Sequence, residues 1–452
     1  MPSKTQHITS WGRAHRAEHQ VQDLVDRHRP WLPSEGDNGS AGSSWLPFGN
    51  GRSYGDSNLN PGAGLLRTTR LDRFINFDPA TGVLRCEAGV LLSDILRLVV
   101  PQGWFLSVTP GTQFVTVGGA IANDVHGKNH HVAGSFGNHV RQFELLRSDG
   151  SRRLCSPLDH TDWFQATIGG LGLTGLITWA EIQLRRIANP WMDSETVRFR
   201  SVDEFFELSA ASEASHEYTV SWIDCAFAGR RLGRGLFNRA NHAPAICQPQ
   251  WLDRDLSAGV LEHTRTVPFT PPVSLINQAS LKAFNTLYYH RQRGDARREL
   301  QHYRPFFYPL DALLQWNRIY GPRGFYQYQC VVPPKAALQA TKRLLEIIAA
   351  SGQGSFLAVL KQFGRVPSLG MLSFPEEGTT LALDFPNRGA RLHRLFDALD
   401  QVVLEHGGRL YPAKDGRMSA PVFQAGYPQW RDFQSFVDPR ISSGFWRRVM
   451  EA

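Results

Sequence analysis

Glycine-rich segments set between short extended stretches constrain the fold of this 452-residue chain more than any other feature. Gly49 to Asp56 (GNGRSYGD) concentrates backbone amides, hydroxyls and one arginine, and Pro110 to Thr112 and Thr116 to Ala120 repeat that chemistry. Glycine lets the backbone approach a phosphate closely, and successive amides form an anion-binding concavity. A bare turn would also be glycine-rich. Two such loops in a strand-rich region predict a dinucleotide bound outside a Rossmann fold.

A further glycine-rich stretch, Gly170 to Gly175 (GLGLTG), matches the G-x-G-x-x-G pattern of Rossmann folds. That pattern requires a strand before it and a helix after it, so that the pyrophosphate lies on a helix N-terminus. Here Asp162 to Thr167 resembles a helix, and Leu176 to Leu184 alternates like a strand. We therefore interpret these glycines as positions of tight backbone packing.

Four histidines fall within fourteen residues and raise the question of a metal site. Helical ligand spacing such as H-E-x-x-H is absent from the sequence, and the neighbouring glycines indicate a loop that lines a ligand. We expect no metal; the rings either bind a cofactor or bond to the backbone. These histidines are His126, His130, His131 and His139.

The charge of the chain leaves several partners open. Its 49 basic residues, only seven of them lysines, against 41 acidic ones give a net charge of +8. Such a balance suits nucleic acid, an anionic membrane surface or a phosphate-bearing ligand. The basic residues form no block of five or six, and no helix-turn-helix, zinc-finger or ribonucleoprotein motif occurs. Nucleic-acid binding is therefore disfavoured.

The cysteines and the N-terminus bear on location. Five scattered cysteines without a C-x-x-C pair argue against a disulfide framework or a zinc site. The first residues lack the apolar stretch of a signal peptide, and no run of 18 apolar residues occurs. We expect a cytoplasmic protein whose membrane contact, if any, is peripheral at the inner membrane.

Local patterns predict several elements. A hairpin is expected from Phe74 to Ala88, with its turn at Pro79 to Gly82, and a helix from Leu92 to Val100. Between Gly324 and Tyr411 the pattern is strand, helix, two strands, helix and strand, which predicts a ferredoxin-like unit.

The glycine-rich loops resemble the FAD-binding domain of the vanillyl-alcohol oxidase and p-cresol methylhydroxylase (PCMH) superfamily. The ordered motifs SWGR, GRSYGD, TVGGAIA, HGKNHH, AGSFGNHV, GLGLTGLI, WNRIYGPRGFYQYQ and LYPAKDGR resemble, within it, the decaprenylphosphoryl-β-D-ribose 2-oxidase family over nearly the whole chain. The resemblance implies an α+β, two-domain flavoprotein. Residues 1–189 and a returning segment 408–452 would form the PCMH-type FAD-binding domain, and residues 190–407 a substrate-binding cap that contains the ferredoxin-like unit.

The function implied by the resemblance is FAD-dependent oxidation of the C2 hydroxyl of a polyprenyl-phosphoryl-β-D-ribose to a 2-keto sugar. A short-chain keto-reductase partner would complete epimerisation to arabinose for cell-wall arabinan. The resemblance implies that Gly49 to Asp56 is the loop that binds the FAD pyrophosphate. This loop contains no histidine, so the FAD is expected to be non-covalent. The implied FAD contacts are Gly49, Asn50, Gly51, Arg52, Ser53, Tyr54, Gly55, Asp56, Ser57, Gly111, Thr116, Val117, Gly118, Gly119, Asn123, Asp124, His126, Ile177 and Tyr411.

Lys414 occupies the family's position for the base that takes the hydroxyl proton, a role that suits a partly buried lysine. A purely electrostatic role is the alternative. Tyr54 and His126 are candidates for orienting sugar or flavin. The implied substrate contacts are Lys128, Trp222, Gln327, Gln329 and Lys361. Three pocket positions depart from relatives, namely Phe307 for tyrosine, Thr380 for asparagine and Ala382 for cysteine, and they put the substrate's identity in doubt.

Other functions remain open on sequence alone. The enzyme could oxidise a free sugar, an alditol or a sugar lactone, although pocket lysines favour a phosphate-bearing substrate. A nucleic-acid-binding protein and a flavin-fold scaffold without catalysis are the remaining alternatives. We further hypothesise that the scattered arginines hold the protein near an anionic membrane.

Overall fold

The computed structural model describes residues 4–29, 44–245 and 264–450 of the chain. Cys247 lies outside these ranges. Burial raises the pKa of the other four thiols to about 12, so these side chains pack as small apolar groups. They are Cys86, Cys155, Cys225 and Cys330, all of them free.

Two sheets arise from the N-terminal part of the chain. The first consists of β1 (Lys4–Thr9), β2 (Arg16–Asp23), β3 (Trp45–Phe48) and β4 (Gly64–Arg67), in the order β1-β2-β4-β3. The second contains β5 (Phe74–Asp78), β6 (Val83–Glu87), β7 (Trp104–Leu106), β8 (Val140–Leu146), β9 (Arg152–Cys155) and β10 (Leu176–Arg186). Its order is β5-β6-β10-β8-β9, and β7 also pairs with β10. The predicted hairpin is confirmed as β5 and β6.

An eight-stranded antiparallel sheet follows. Its strands are β11 (Trp191–Phe199), β12 (Tyr218–Ile223), β13 (Gly235–His242), β15 (Ala296–His302), β17 (Phe325–Val332), β18 (Ala358–Phe363), β19 (Gly378–Pro386) and β20 (Arg409–Leu410). They lie in the order β15-β11-β13-β12-β18-β19-β17-β20. We call this the large sheet. A short parallel pair, β14 (Arg265–Thr266) and β16 (Leu313–Leu314), lies apart from it.

Most helices are short. They are α1 (Leu92–Val99), α2 (Val117–Ala122), α3 (His130–Ala133), α4 (Thr161–Thr167), α5 (Val202–Ser212), α6 (Gln278–His290), α7 (Tyr303–Phe307), α8 (Ala337–Ser351), α9 (Ala390–Glu405), α10 (Ala420–Gly426), α11 (Trp430–Gln434) and α12 (Gly444–Met450). The helix predicted after Leu92 is confirmed as α1. Among the described residues no helix is both long and apolar enough to cross a bilayer. The mixture of helices with mainly antiparallel sheets places the protein in the α+β class.

The predicted ferredoxin-like succession is confirmed as β17, α8, β18, β19, α9 and β20. The four strands lie in the order β18-β19-β17-β20, each antiparallel to its neighbour. Gly352, at φ +65°, ends α8 in the left-handed conformation that favours glycine. These four strands form one half of the large sheet.

Alternation along the strands gives the large sheet two different faces. Leu360, Leu383 and Phe385 belong to a hydrophobic core that they share with residues of α8 and α9. Their neighbours Lys361 and Asp384 line a cavity on the opposite face. This period of two therefore places the polar residues of β17, β18 and β19 together on the cavity side.

The C-terminal segment packs against the first sheet. Trp45 on β3 accepts a hydrogen bond at 3.0 Å from the amide of Ser442, and the amide of Trp45 donates to the carbonyl of Arg440 at 2.8 Å. Helix α12 brings Arg448 to the glycine-rich loop that follows β3, where its guanidinium lies 2.6 Å from Asp56. The chain thus returns to its N-terminal part after completing the large sheet.

Candidate functional site

A cavity of about 1040 Å³ lies between the glycine-rich loops and the large sheet. It is lined by the loop after β3, by the start of α2 and by the polar face of β17, β18 and β19. Pockets for drug-sized ligands typically have volumes of roughly 300 to 1,000 Å³. The cavity is therefore large enough to hold a dinucleotide together with part of a second ligand.

On the wall formed by the glycine-rich loops, the backbone packs too closely to leave room for side chains. A Cβ on Gly49 would lie 2.4 Å from Oγ1 of Thr116, and Gly51 has a φ of +62°. Thr116 accepts a hydrogen bond from the amide of Gly119 at 3.1 Å and so begins α2. The loop after β3 and the first turn of α2 are consequently in direct contact on the cavity wall.

Unpaired polar atoms on this wall fit a phosphate-bearing dinucleotide such as FAD. Nε of Arg52, Oγ of Ser57 and both amide atoms of Asn58 are buried and lack a hydrogen-bond partner among the described residues. The Arg52 guanidinium packs 4.3 Å from the ring centroid of Trp11, and burial lowers its pKa without neutralising it at ordinary pH. Buried polar groups are normally paired, so this set indicates a missing polar ligand.

Most of the FAD contacts expected from the sequence line the cavity. They are Gly49, Asn50, Gly51, Arg52, Ser53, Tyr54, Ser57, Gly111, Thr116, Gly118, Gly119, Asn123, His126, Ile177 and Tyr411. Tyr411 donates its hydroxyl hydrogen to the carbonyl of Asn123 at 2.8 Å and stacks on Phe374. This bond connects the segment after β20 to the segment after α2.

Four of the expected contacts do not reach the cavity surface. Asp56 is directed to Arg448, and Gly55 lies against the backbone of Asp415. Val117 is fully buried in the core. Asp124 is also fully buried and accepts bonds from two serine hydroxyls and from the amide of Gly137. It therefore stabilises the segment after α2 from the side away from the cavity.

Lys414, Tyr54 and Asp384 come together at one corner of the cavity. The amide of Tyr54 donates to the carbonyl of Ala413 at 3.0 Å, which fixes the glycine-rich loop against the turn that carries Lys414. Nζ of Lys414 lies 3.9 Å from the ring centroid of Tyr54. Gln327 donates to the carboxylate of Asp384 at 2.5 Å. The alternating strands β17 and β19 set Gln327 directly opposite Asp384.

Burial and opposite charge act against each other at this corner. Burial lowers the pKa of Lys414, while the nearby Asp384 carboxylate partly restores it. Burial raises the pKa of Asp384, while the bond from Gln327 and the charge of Lys414 oppose that rise. The pair can thus hold and release one proton near neutral pH. Sequence reasoning did not select Asp384 as a site residue. The signal that could have identified it is an acidic residue within the otherwise apolar strand sequence LALDF.

His126 lies between two of the expected substrate contacts. Nζ of Lys361 lies 2.7 Å from its Nδ1 and donates to the carbonyl of Gly127 at 2.8 Å. The side-chain nitrogen of Gln329 lies 3.0 Å from its Nε2. Burial and the neighbouring lysines hold the pKa of His126 well below its usual value, so the ring is neutral. Both ring nitrogens are occupied by protein groups.

The other three histidines bond within the protein. The ring of His131 pairs with the carbonyl of His216, and that of His139 with the carbonyl of Ala133, while His130 accepts from the amide of Gly364. Across the described ranges, no cluster of three or more potential metal ligands occurs.

Lys128, Lys361 and Lys414 line the substrate side of the cavity and make it electropositive when they are protonated. Lys128 donates to the carbonyl of Phe306, and burial lowers the pKa of Lys128 and of Lys361 to about 7. Trp222 also lines the cavity and donates its indole hydrogen to the carbonyl of Phe356 at 2.8 Å. Three recessed lysines with one carboxylate beside them suit an anionic ligand.

The depressed pKa of Lys361 predicts a pH-dependent stability. This side chain is only 8% exposed, and its pKa falls from 10.5 to about 7 on folding. The unfolded chain then binds the extra proton between those values, so stability rises with pH by up to about 1.4 kcal/mol per unit from pH 7 towards 10.5. In Lys361→Met this contribution is expected to vanish. Urea unfolding at several pH values, with FAD in excess, measures the difference in slope.

Lys335, which is exposed, provides the matched control for this prediction. Lys335→Met should keep the slope of the unmodified protein. Parallel stability curves for the unmodified protein and Lys361→Met would contradict the prediction.

The three departures from the family pattern all lie on the cavity wall. Thr380 is opposite Lys361, and Ala382 is opposite Gln329. Phe307 lies near Lys128, whose Nζ is 5.9 Å from its ring centroid. These departures therefore affect the shape and polarity of the pocket.

The GLGLTG stretch has the predicted flanks, α4 before it and β10 after it. Tight packing is part of its role, since a Cβ on Gly170 would lie 2.2 Å from the carbonyl of Ala166. However, Leu171, Gly172 and Gly175 also line the cavity. The interpretation as packing alone was therefore incomplete.

Comparison with known proteins gives a consistent result. Residues 39–156 match the model of an FAD binding domain family. The chain is 37% identical to the decaprenylphosphoryl-β-D-ribose oxidase of Mycolicibacterium smegmatis, with 97% of this chain and 95% of that protein aligned. It is 34% identical to an uncharacterised protein of Streptomyces coelicolor over 77% of this chain and 96% of the relative. The human Δ(24)-sterol reductase is 30% identical over 24% of this chain and 21% of the reductase.

Proposed function

The chain belongs to the decaprenylphosphoryl-β-D-ribose oxidase family of FAD-dependent oxidoreductases, and from that premise we propose that it oxidises the C2 hydroxyl of a polyprenyl-phosphoryl-β-D-ribose to the 2-keto sugar. The observation that carries the proposal is the shared cavity. Its one side consists of the glycine-rich loops with unpaired polar atoms, and its other side carries the recessed lysines. A dinucleotide and a phosphate-bearing sugar would thus meet beside Lys414.

The loop side would hold FAD. Arg52, Ser57 and Asn58 offer the unpaired polar atoms for it, and Gly118 and Gly119 leave the backbone accessible. Bound FAD supplies an acceptor for the two electrons that leave C2 as a hydride. The chain's own residues must then bind the sugar, orient it and remove the hydroxyl proton.

Removal of that proton falls to Lys414. Loss of a hydride from C2 makes the hydroxyl strongly acidic, so a base within hydrogen-bond reach lowers the barrier. Burial favours the neutral amine, which can accept the proton at Nζ. Asp384 then stabilises the resulting ammonium, and Gln327 holds that carboxylate in place through its 2.5 Å bond. Tyr54 covers one side of Lys414 and limits the approach of water.

The other polar residues orient the substrate. Lys128 and Lys361 would attract the phosphate diester, and Gln327 and Gln329 would bond sugar hydroxyls. Neutral His126, held between Lys361 and Gln329, keeps both at fixed distances. A free sugar or alditol would leave these lysines without an anionic partner, which is why a phosphate-bearing substrate is favoured.

We propose the following division of the chain into domains. Residues 1–189 form a PCMH-type FAD-binding domain, residues 190–407 form the substrate-binding cap, and residues 408–452 return to the FAD domain. The start of the large sheet at Trp191 and the bonds between the C-terminal segment and β3 support this division, and the first residues of that segment still pair with β17 as β20.

The 2-keto product needs a second enzyme. A ketone at C2 of the sugar is a substrate for hydride addition to its other face, so a short-chain keto-reductase is the proposed partner in epimerisation. Because the proposed substrate is lipid-linked, we also propose that the enzyme works in the cytoplasm as a peripheral protein at the inner membrane.

A substrate panel tests the proposal. Polyprenyl-phosphoryl ribose should bleach the flavin of the purified protein under anaerobic conditions, whereas free ribose, alditols and sugar lactones at the same concentration should not. Bleaching by the free compounds alone would instead identify an alditol or lactone oxidase.

The FAD is expected to be released by denaturation. The loop that follows β3 contains no histidine, and both ring nitrogens of His126 on the cavity wall are occupied by protein groups. Precipitation with trichloroacetic acid should therefore leave the yellow colour in the supernatant and a colourless pellet. A pellet that stays yellow after washing would show a covalent link.

A further inference from the structure

Exposed apolar side chains concentrate in one region of the protein. Thirteen large apolar side chains are exposed in the described part of the chain, and eight of them fall between residues 269 and 314. Folded proteins bury most such side chains, and a cluster at the surface marks an interaction site. The eight are Phe269, Val273, Leu275, Phe284, Leu287, Leu300, Leu313 and Leu314.

Part of this cluster lines the cavity, and most of the rest lies on the chain segments next to those residues. Phe284, Leu313 and Leu314 line it directly. Leu287 lies one turn beyond Phe284 on α6. The amide of Leu275 donates to the carbonyl of Ile319, which holds the segment before α6 beside the segment that follows β16. We call Phe269, Val273, Leu275, Phe284, Leu287, Leu313 and Leu314 the mouth patch.

Helix α6 has two distinct faces. Leu281, Asn285 and Tyr289 face the interior, where the Asn285 amide donates to the carboxylate of Asp224 at 2.9 Å. Phe284 and Leu287 face outward. Arg291, which caps the helix about one turn beyond Leu287, is exposed on the same side. An apolar stripe with a basic flank is the pattern of helices that lie at a membrane surface.

Positive charge is concentrated in the same region. Residues 264–323 contain nine lysines and arginines against three acidic residues, so this stretch carries +6 of the net charge of +8. Exposed examples are Arg265, Lys282, Arg291 and Arg293. Each basic residue near an anionic bilayer contributes roughly 1 kcal/mol of attraction at the surface. Most of the net charge therefore falls in the part of the chain that carries the mouth patch.

We propose that the mouth patch docks on an anionic lipid bilayer, so that a lipid-linked substrate enters the cavity without its tail crossing water. The identity of that substrate rests on the function proposed above. Charge complementarity favours a bilayer over a second copy of the chain, since two copies would bring two strongly basic surfaces together. Continuity of the patch with the cavity mouth favours docking in the orientation that feeds the site.

Vesicle flotation tests the docking surface. The holoenzyme is mixed with vesicles of phosphatidylcholine containing 30% phosphatidylglycerol, and the bound fraction is measured. The double variant L275Q/L287Q, whose positions do not line the cavity, should lower the vesicle partition coefficient by about tenfold or more. The matched control L154Q/L158Q alters two exposed leucines far away in the sequence, on and after β9, and should bind like the unmodified protein.

Three results would contradict the proposal. One is equal vesicle binding by the unmodified protein and L275Q/L287Q. The second is that the unmodified protein does not bind vesicles but sediments as a dimer, whereas L275Q/L287Q sediments as a monomer. The patch would then be a contact between two copies of the chain. Binding that is as strong on pure phosphatidylcholine would likewise contradict the role of the basic residues.

A soluble substrate separates this proposal from the proposed function. With a short-chain prenyl-phosphoryl ribose in solution, both the unmodified protein and L275Q/L287Q should bleach their flavin at equal rates. With the long-chain substrate in vesicles, only the unmodified protein should remain fast. Failure of the soluble substrate would refute the proposed function, while the vesicle partition would still decide the docking surface.

Discussion

Replacing Lys414 with methionine is expected to slow flavin reduction by about 10²- to 10⁴-fold, the range that a positioned base contributes. Methionine keeps the length and apolar stem of the side chain but cannot accept a proton. The loop contacts around Arg52, Ser57 and Asn58 are unchanged, so FAD should remain bound. Anaerobic mixing with polyprenyl-phosphoryl ribose, followed by the visible absorbance of the flavin, measures the rate.

The pH dependence identifies the role of Lys414. Because its neutral form is the base, the rate in the unmodified protein should rise with pH as the ammonium loses its proton. Burial lowers the pKa of Lys414 from 10.5, so the rate should increase at a lower pH than it would with an exposed lysine. The residual rate of Lys414→Met should lack the rise. A purely electrostatic Lys414 would instead give a rate that falls as pH increases.

Lys335→Met serves as the control for this variant, because Lys335 is exposed and lies outside the cavity lining. Its rate should equal that of the unmodified protein. A normal rate in Lys414→Met would contradict the assignment of the base and would favour a flavin-fold scaffold or another proton acceptor.

Replacing Arg448 with leucine is expected to destabilise the protein by about 3 kcal/mol, at the lower end of the range for removing one partner of a buried ion pair. Arg448 lies 2.6 Å from Asp56 and 3.3 Å from Asp415, and both carboxylates are buried. Without Arg448 both carboxylates would lose their arginine partner, and Asp415 would keep only the bonds from the amides of Arg417 and Met418. Unfolding by urea at a fixed excess of FAD measures the change.

The same substitution should weaken FAD binding. Asp56 ends the glycine-rich loop and Asp415 follows Lys414, so Arg448 connects the two segments that meet at the reactive corner. Arg431→Leu is the control, because Arg431 is exposed on the neighbouring helix α11. If Arg448→Leu and Arg431→Leu have the same stability and FAD affinity, the ion pairs have no structural role.

Local sequence patterns predicted those elements whose signal lies within one segment. The β5–β6 hairpin, α1 and the ferredoxin-like unit have clear alternation or a clear apolar face, and the structure confirms them. Strands β1 and β2 were missed because KTQHIT and RAEHQVQD are mostly polar, and β1 also lies at the edge of its sheet. Helix α2 was missed because its glycines indicated a loop, although Thr116 caps it.

The reactive corner could not be predicted from local pattern, since Tyr54 lies more than 300 residues before Asp384 and Lys414 in the sequence. Resemblance to the family suggested Tyr54 and Lys414, and the cavity includes both. Asp384 emerged only from the register of β17 with β19, which places it opposite Gln327. Similarly, the clustering of basic and apolar residues at the cavity mouth depends on how residues 264–323 fold.

Substrate deuterated at C2 tests whether flavin reduction removes a hydride from that carbon. Polyprenyl-phosphoryl ribose with protium at C2 should bleach the flavin in a single anaerobic turnover, and the C2-deuterated compound should bleach it several-fold more slowly. If the C2-deuterated and C2-protiated compounds bleach the flavin at equal rates, and deuterium at another ring carbon slows bleaching, the oxidation occurs elsewhere on the sugar. An absence of bleaching by either compound would contradict the proposed function itself.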